Sequence, residues 1–263
     1  MQLQPLLRLH RPDRSTFLAH SHQPLIVEGL TSEWPSQEKW NLDFFAQQPL
    51  EVEVRREAQR SKRKRRLSLA EYVHYVRTTQ DESPYYLASW HFPSSWCADY
   101  QLPDYWQEDY LVQLPEAIRP RLLWLFIGPP GTGFPLHLDV GHTAAWNVQL
   151  QGRKAWIAVA PESSAKVYDG EADLFRPDFQ RFPDLHEVRG WEGVLEPGEA
   201  IYLPSLCWHQ TRILETSVAL SGNYCSAQNL DTVLARLDFE ADQGMSERGQ
   251  MASALRNLAK PSP

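Results

Sequence analysis

From Leu122 to Tyr224 the chain is a run of short apolar or alternating segments punctuated by Gly and Pro. The segments "RLLWLFIG", "FPLHLDV", "AAWNVQLQG", "KAWIAVAP", "GWEGVLEPGEAIYLP", "HQTRILE" and "TSVALSGNYC" follow one another without helical spacing between them. Short strands satisfy their backbone N–H and C=O groups by pairing with one another, so this stretch is predicted to form a β-sandwich or barrel.

The flanks read differently. "QPLIVEGL" from Gln23 predicts a buried strand, "WNLDFFAQQ" a helix with Asn41 at its N-cap, and "LEVEVRRE" from Leu50 an edge or half-buried strand. "LSLAEYVHYVR" places Leu69, Tyr72, Val73 and Val76 on one helical stripe, with Ser68 and Glu71 as a capping box. Ser83 to Trp106, rich in Pro, Trp and Tyr, predicts the strand "YYLASW" and then a packed loop. After Cys225, one apolar stripe (Leu230, Val233, Leu234, Leu237) and a second (Met251, Leu255, Leu258) predict two amphipathic helices. Their stripes need a partner, either the barrel or, in a homodimer, a second copy of the chain. The expected fold is mainly β with flanking helices: an α/β elaboration over 1–110, a β core over 111–226 and C-terminal helices over 227–263.

Composition narrows the function. The chain has 263 residues, of which 42% are hydrophobic, enough to bury one such core. Its apolar runs fall far short of the roughly 20 residues that cross a bilayer, and "MQLQPLLRLHRPDR" is not a secretory leader, so a cytoplasmic protein with no membrane partner is expected. Cys97, Cys207 and Cys225 have no CxxC spacing, so any metal must rely on His and carboxylate. The net charge of -7 argues against a general nucleic-acid surface. The segment Arg55 to Arg66 departs from this, carrying eight of the 26 Lys and Arg and one of the 33 acids. It reads as a solvated loop or as a docking patch for an anionic partner such as RNA.

In "FPLHLDVGH" the core Leu136 to Val140 alternates as a half-buried strand does, which would turn His137 and Asp139 to one face. A later strand, "IYLPSLCWHQ", offers His209. A lone histidine on a strand is more often a satisfied, partly buried residue than a ligand, and HxD alone recurs by chance. Together, two His and one carboxylate on different strands of one β region suit a facial triad for Fe(II), with positions left open for chemistry.

"FPLHLDVGHTAAWNVQLQGRKAWIAVAP" together with "PGEAIYLPSLCWHQTRILETSVALSGNYC" resembles the cupin-like Jumonji C family of Fe(II)- and 2-oxoglutarate-dependent oxygenases, in particular the factor-inhibiting-HIF-type hydroxylases and the Jumonji lysyl hydroxylases. "PLIVEGLTSEWPSQEKW" resembles the family's N-terminal strand and Trp-Pro turn, extending the likeness over about residues 23 to 225. The resemblance implies a double-stranded β-helix, or jelly-roll, core. It implies iron on His137, Asp139 and His209, and Lys154 pairing with the distal carboxylate of 2-oxoglutarate. Asn147 and Asn223 fall where relatives place polar pocket residues, while Ser221 and Tyr86 match hydroxyls that help hold the cosubstrate. Trp146, Trp156 and Trp208 read as barrel core. Several relatives carry a Thr three residues before the first metal His; here that position is Phe134, and Thr132 is out of register.

The implied activity is hydroxylation of a C–H bond using Fe(II), 2-oxoglutarate and O2, first on a protein or peptide side chain. The alternatives are a modified tRNA base, with Arg55 to Arg66 tracking phosphates, a small molecule, or a non-catalytic cupin-like binding protein.

Overall fold

The computed structural model describes residues 1–56 and 64–259. Two sheets face each other. One has four strands: β1 (Gln2–Pro5), β10 (Arg189–Leu195), β9 (Lys154–Val159) and β12 (His209–Ile213), in that order. The other has seven: β2 (Leu7–His10), β3 (Leu25–Glu28), β11 (Ala200–Leu203), β8 (Ala144–Gln151), β13 (Ser217–Tyr224), β7 (Leu123–Gly128) and β6 (Leu87–Trp90). This is the expected jelly-roll, mainly β with flanking helices. A hairpin of β4 (Glu51–Arg55) and β5 (Lys64–Ser68) forms its own ladder and is tied beside β6 of the larger sheet by reciprocal backbone hydrogen bonds between Arg55 and Tyr86, at 3.1 and 2.8 Å. The first ten residues were not recognised as strands from sequence, yet β1 pairs parallel with β10 and β2 parallel with β3.

The central strands β8, β9, β11 and β13 are covered on both faces and are buried along almost their whole length, whereas the edge strands β1 and β2 are largely exposed. Outward residues of the larger sheet (Leu25, Val27, Leu125, Ile127, Trp146, Val148, Val218, Leu220) join a core with Phe17, Trp34, Trp40, Phe45 and Tyr72. These last come from α1 (Arg14–His20), the two ends of α2 (Pro35–Lys39), α3 (Leu42–Ala46) and α4 (Leu69–Thr78). Asn41 caps α3 through the Phe44 N–H, and Ser68 and Glu71 form the predicted capping box of α4. Trp96, Tyr105 and Trp106 of the aromatic loop pack into the same core. The outer face of the smaller sheet, with Ile157 and Val159, is covered by turns that contribute Val167, Leu174, Phe182 and Leu185.

Between the sheets, two apolar clusters leave a gap. One contains Leu6, Ile26, Ala145, Trp156, Ala158, Ile201 and Leu203. The other contains Tyr86, Phe126, Ile213 and Ala219, with Phe134 against it. Period-two alternation turns Asn147 on β8, Ser221 and Asn223 on β13, Lys154 on β9 and His209 on β12 inward. These side chains occupy the gap.

The C-terminal helices are α5 (Leu230–Asp242) and α6 (Ser246–Leu258). Val233 and Leu237 are buried with Met251, Ala252 and Leu255 against Leu111, Leu114 and Cys225, and Leu230 and Leu234 pack on the same cluster. The stripe therefore closes on its own chain, and the homodimer expectation loses the surface on which it rested. The basic run lies largely outside the described residues, at 57–63. At its described ends Arg56 pairs with Asp81 at 3.2 Å and Lys64 with Glu53 at 2.7 Å. Among the described residues no helix is long and apolar enough to cross a membrane.

Leu237→Ala should destabilise the fold by about 3 kcal/mol through lost burial and the cavity left behind, read by urea denaturation. A fall in mass by light scattering with stability unchanged would instead place this stripe between copies of the chain.

Candidate metal centre

His137 and His209 are joined through their backbones. His137 N–H donates to His209 O and His209 N–H to His137 O, each at 3.0 Å, and the rings lie 4.2 Å apart. Only this one bridge is regular around His137. The expected strand over Leu136 to Val140 is thus corrected to an irregular segment laid against β12. Pro135 has no N–H to extend the ladder. After Asp139 the chain enters a tight turn, Val140–His142, with Gly141 and His142 at φ of 63° and 53°. The turn still brings Asp139 Oδ2 to 3.9 Å from His209 Nε2.

Hydrogen bonding sets the imidazole tautomers. His137 Nδ1 lies 2.8 Å from Pro135 O and His209 Nδ1 2.9 Å from Cys207 O. A carbonyl only accepts, so each Nδ1 carries the proton and each Nε2 presents a lone pair. Burial, and then the neighbouring His209, push the His137 imidazole down to about 4, which keeps it neutral at physiological pH. Cys207, next to this cluster, has its thiol pushed up to about 12 by burial, and its Sγ lies 3.9 Å from Val159 O and from Trp208 O. One ligand atom from each of His137, Asp139 and His209 lies within 4.8 Å of the others, so the three can hold one ion. Two imidazole nitrogens and one carboxylate oxygen, with no fourth ligand among the described residues, suit a divalent ion with open positions.

The cluster opens onto a chamber of about 350 Å³ whose walls include Tyr86, Phe126, Phe134, Asn147, Lys154, Trp156, Thr211, Ser221 and Asn223. All five pocket residues expected from sequence therefore line one cavity. Lys154 is 2% exposed and, among the described residues, has no carboxylate partner. Its Nζ lies over the rings of Phe126 and Trp156, at 5.7 and 5.9 Å. Burial alone lowers its ammonium to about 7. A buried cation without a counter-charge fits an anionic ligand.

The other polar groups differ in what they have to offer. Asn147 Oδ1 is buried without a partner. Ser221 donates its hydroxyl to Trp146 O at 2.8 Å and Asn223 Nδ2 donates to Thr143 Oγ1 at 2.9 Å, so both are partly engaged. Tyr86 meets Phe134 and Phe126 at 6.2 and 6.1 Å. Trp146 belongs to the outer core, stacked on Trp106, and Trp208 is half-buried outside the chamber, whereas Trp156 is both core and chamber wall. Sequence reading passed over Thr211 and Phe126, although the alternation in "HQTRI" and "LLWLFIG" would turn both inward.

On its outer side the cluster faces a cleft bounded by His142, Asp169, Trp208, Arg236 and Glu240. Glu240 on α5 accepts from Arg236 at 2.7 Å and lies 3.2 Å from Arg248 on α6, bracing the helices beside the Val140–His142 turn. Opposite, Tyr168, Asp169 and Gly170 are consecutive left-handed residues, with φ of 51°, 50° and 78°. A Cβ on Gly170 would come within 2.5 Å of Leu136 O and 2.7 Å of the Trp208 ring. Those residues immediately precede the two metal-facing histidines.

Gly170→Ala should accordingly cost about 2 kcal/mol or more, through strain and displacement of both histidine segments. Thermal melts with and without Mn(II) should show a lower midpoint and a smaller metal-induced rise; unchanged melts would refute this.

The cupin-like domain family model matches residues 13–229. The chain is 32% identical over 227 residues to "Lysine-specific demethylase JMJ21" of Arabidopsis thaliana, covering 80% of this chain and 24% of that one. It is 26% identical over 233 residues to "Bifunctional arginine demethylase and lysyl-hydroxylase psr-1" of Caenorhabditis elegans, covering 80% and 57%. It is 24% identical over 191 residues to "2-oxoglutarate and iron-dependent oxygenase JMJD4" of Mus musculus, covering 64% and 44%. The chain thus spans from about a quarter to somewhat over half the length of these curated relatives. With the jelly-roll core and the matched domain in agreement, the chain belongs to the cupin-like family, in its Jumonji C branch.

Proposed function

We propose that the chain is an Fe(II)- and 2-oxoglutarate-dependent oxygenase that hydroxylates a C–H bond on a protein or peptide side chain, with succinate and CO2 as coproducts. The observation that carries this reading is one cavity in which a two-His, one-carboxylate cluster stands across from a buried lysine lacking a counter-ion. The names of the relatives, an arginine demethylase and lysyl-hydroxylase among them, support a protein side chain as substrate.

Iron with 2-oxoglutarate and O2, when bound, supplies the oxidising chemistry that inserts oxygen into the C–H bond. His137 and His209 would offer their Nε2 lone pairs, and Asp139 the negative charge that partly offsets a divalent cation. Lys154 would neutralise the distal carboxylate, while Asn147 offers a polar contact along the same wall. Phe126, Phe134 and Trp156 keep bulk water from the reacting centre, and the outer cleft admits the substrate beside the ligand turn.

Anaerobically purified protein should release succinate from 2-oxoglutarate when Fe(II) and O2 are added, and Asp139→Ala should abolish it. Iron binding without succinate release would support a non-catalytic cupin. Mass spectrometry of proteins incubated with wild type and Asp139→Ala should show peptides that gain one oxygen only with the wild type.

Lys154 makes the cosubstrate affinity pH-dependent. Its ammonium titrates near 7 in the free protein, so above that pH a proton must be taken up when the dicarboxylate binds. Affinity for 2-oxoglutarate should fall by up to about tenfold per pH unit above 7. Calorimetry in buffers of different ionisation enthalpy should show this proton uptake, and Lys154→Met should bind weakly at every pH with no uptake. Wild-type binding that strengthens with pH would contradict it.

A further inference from the structure

Two polar residues of the chamber, Ser89 and Thr211, lie outside the set that the family resemblance marks, and Thr211 is the one on the strand that carries His209. β12 and β9 pair His209 with Ala158, Thr211 with Trp156 and Ile213 with Lys154. A ligand joining the metal cluster to Lys154 must pass the middle rung, and Thr211 lines the chamber there. Lys154 folds back toward the same rung, with Nζ 5.9 Å from the Trp156 ring centre.

The Phe134 side chain brings no hydroxyl to the chamber, yet its backbone fixes a hydroxyl beside it. Phe134 N–H donates to Thr211 Oγ1 at 2.9 Å, and Thr211 N–H donates to Phe134 O at 3.1 Å. A hydroxyl has two lone pairs and one proton. One lone pair is taken by Phe134, and among the described residues the only hydrogen bond of this hydroxyl is the one it accepts. The indole N–H of Trp156, on the same rung, is also buried without an acceptor. Idle buried donors beside a cation are best satisfied by a carboxylate. The Phe134 ring, 5.2 Å from His137 and 5.9 Å from Phe126, fills the space beside them.

We propose that the Thr211 hydroxyl donates to the distal carboxylate of 2-oxoglutarate held by Lys154, supplying from β12 the hydroxyl that Phe134 lacks. The inference rests on the oxygenase reading above. Phe134 then seals the chamber with its ring and orients the replacement donor with its main chain.

The test is equilibrium binding to Mn(II)-loaded protein without oxygen, comparing 2-oxoglutarate with 2-oxobutyrate, which lacks the distal carboxylate. Thr211→Val should weaken 2-oxoglutarate binding about tenfold, as expected for one charge-assisted hydrogen bond. Binding of 2-oxobutyrate and of Mn(II) should not change. Thr211→Ser should retain most of the affinity, and adding Phe134→Thr to Thr211→Val should recover part of what was lost. Unchanged 2-oxoglutarate affinity in Thr211→Val, or equal loss for both acids, would overturn the proposal while leaving the oxygenase reading intact. Wild type that binds Mn(II) but neither acid would overturn both.

Discussion

The two reciprocal hydrogen bonds between His137 and His209 hold together everything that the site requires. They fix the spacing of two rings drawn from distant parts of the chain, and each ring is then turned by a carbonyl two residues before it, Pro135 O or Cys207 O. Backbone pairing does not depend on side-chain identity, so it positions ligands without placing apolar contacts in the coordination space. The surrounding structure serves this pairing. Gly170 lets a left-handed turn press against Leu136 and Trp208, and the helix pair braced by Glu240 stands beside the turn that follows Asp139.

The second constraint is electrostatic. Lys154 is enclosed by aromatic rings with no carboxylate beside it among the described residues, a costly arrangement in an empty protein and a favourable one when an anion enters. The jelly-roll makes this possible because both of its sheets are covered on their outer faces, so stability comes from cores that lie away from the chamber. The gap between the two inner apolar clusters can then hold polar groups that would weaken a smaller fold.

Much of this was legible in the sequence, for identifiable reasons. Strands β7 to β13 announce themselves as short apolar or alternating segments with Gly and Pro boundaries, while Asn147, Lys154, Ser221 and Asn223 are marked by the family resemblance rather than by periodicity. The capping box at Ser68 and Glu71 is a local signal and appears where expected. What escaped was non-local. β1 and β2 are four residues each, and their parallel partners are chosen by the assembled sheets. The strand reading of Leu136 to Val140 failed at Pro135 and at the left-handed turn after Asp139. An apolar stripe on α5 shows that something must cover it, while only the fold shows that Leu111, Leu114 and α6 do. Phe134 reads as a lost hydroxyl until Thr211 is seen bonded to its backbone.

The most direct measurement is a crystal structure grown without oxygen in Mn(II) and 2-oxoglutarate. The account predicts one metal ion bound by His137 Nε2, Asp139 and His209 Nε2, with the dicarboxylate running from the metal to Lys154. A chamber in which Lys154 meets no carboxylate, or a metal bound away from these three residues, would contradict it.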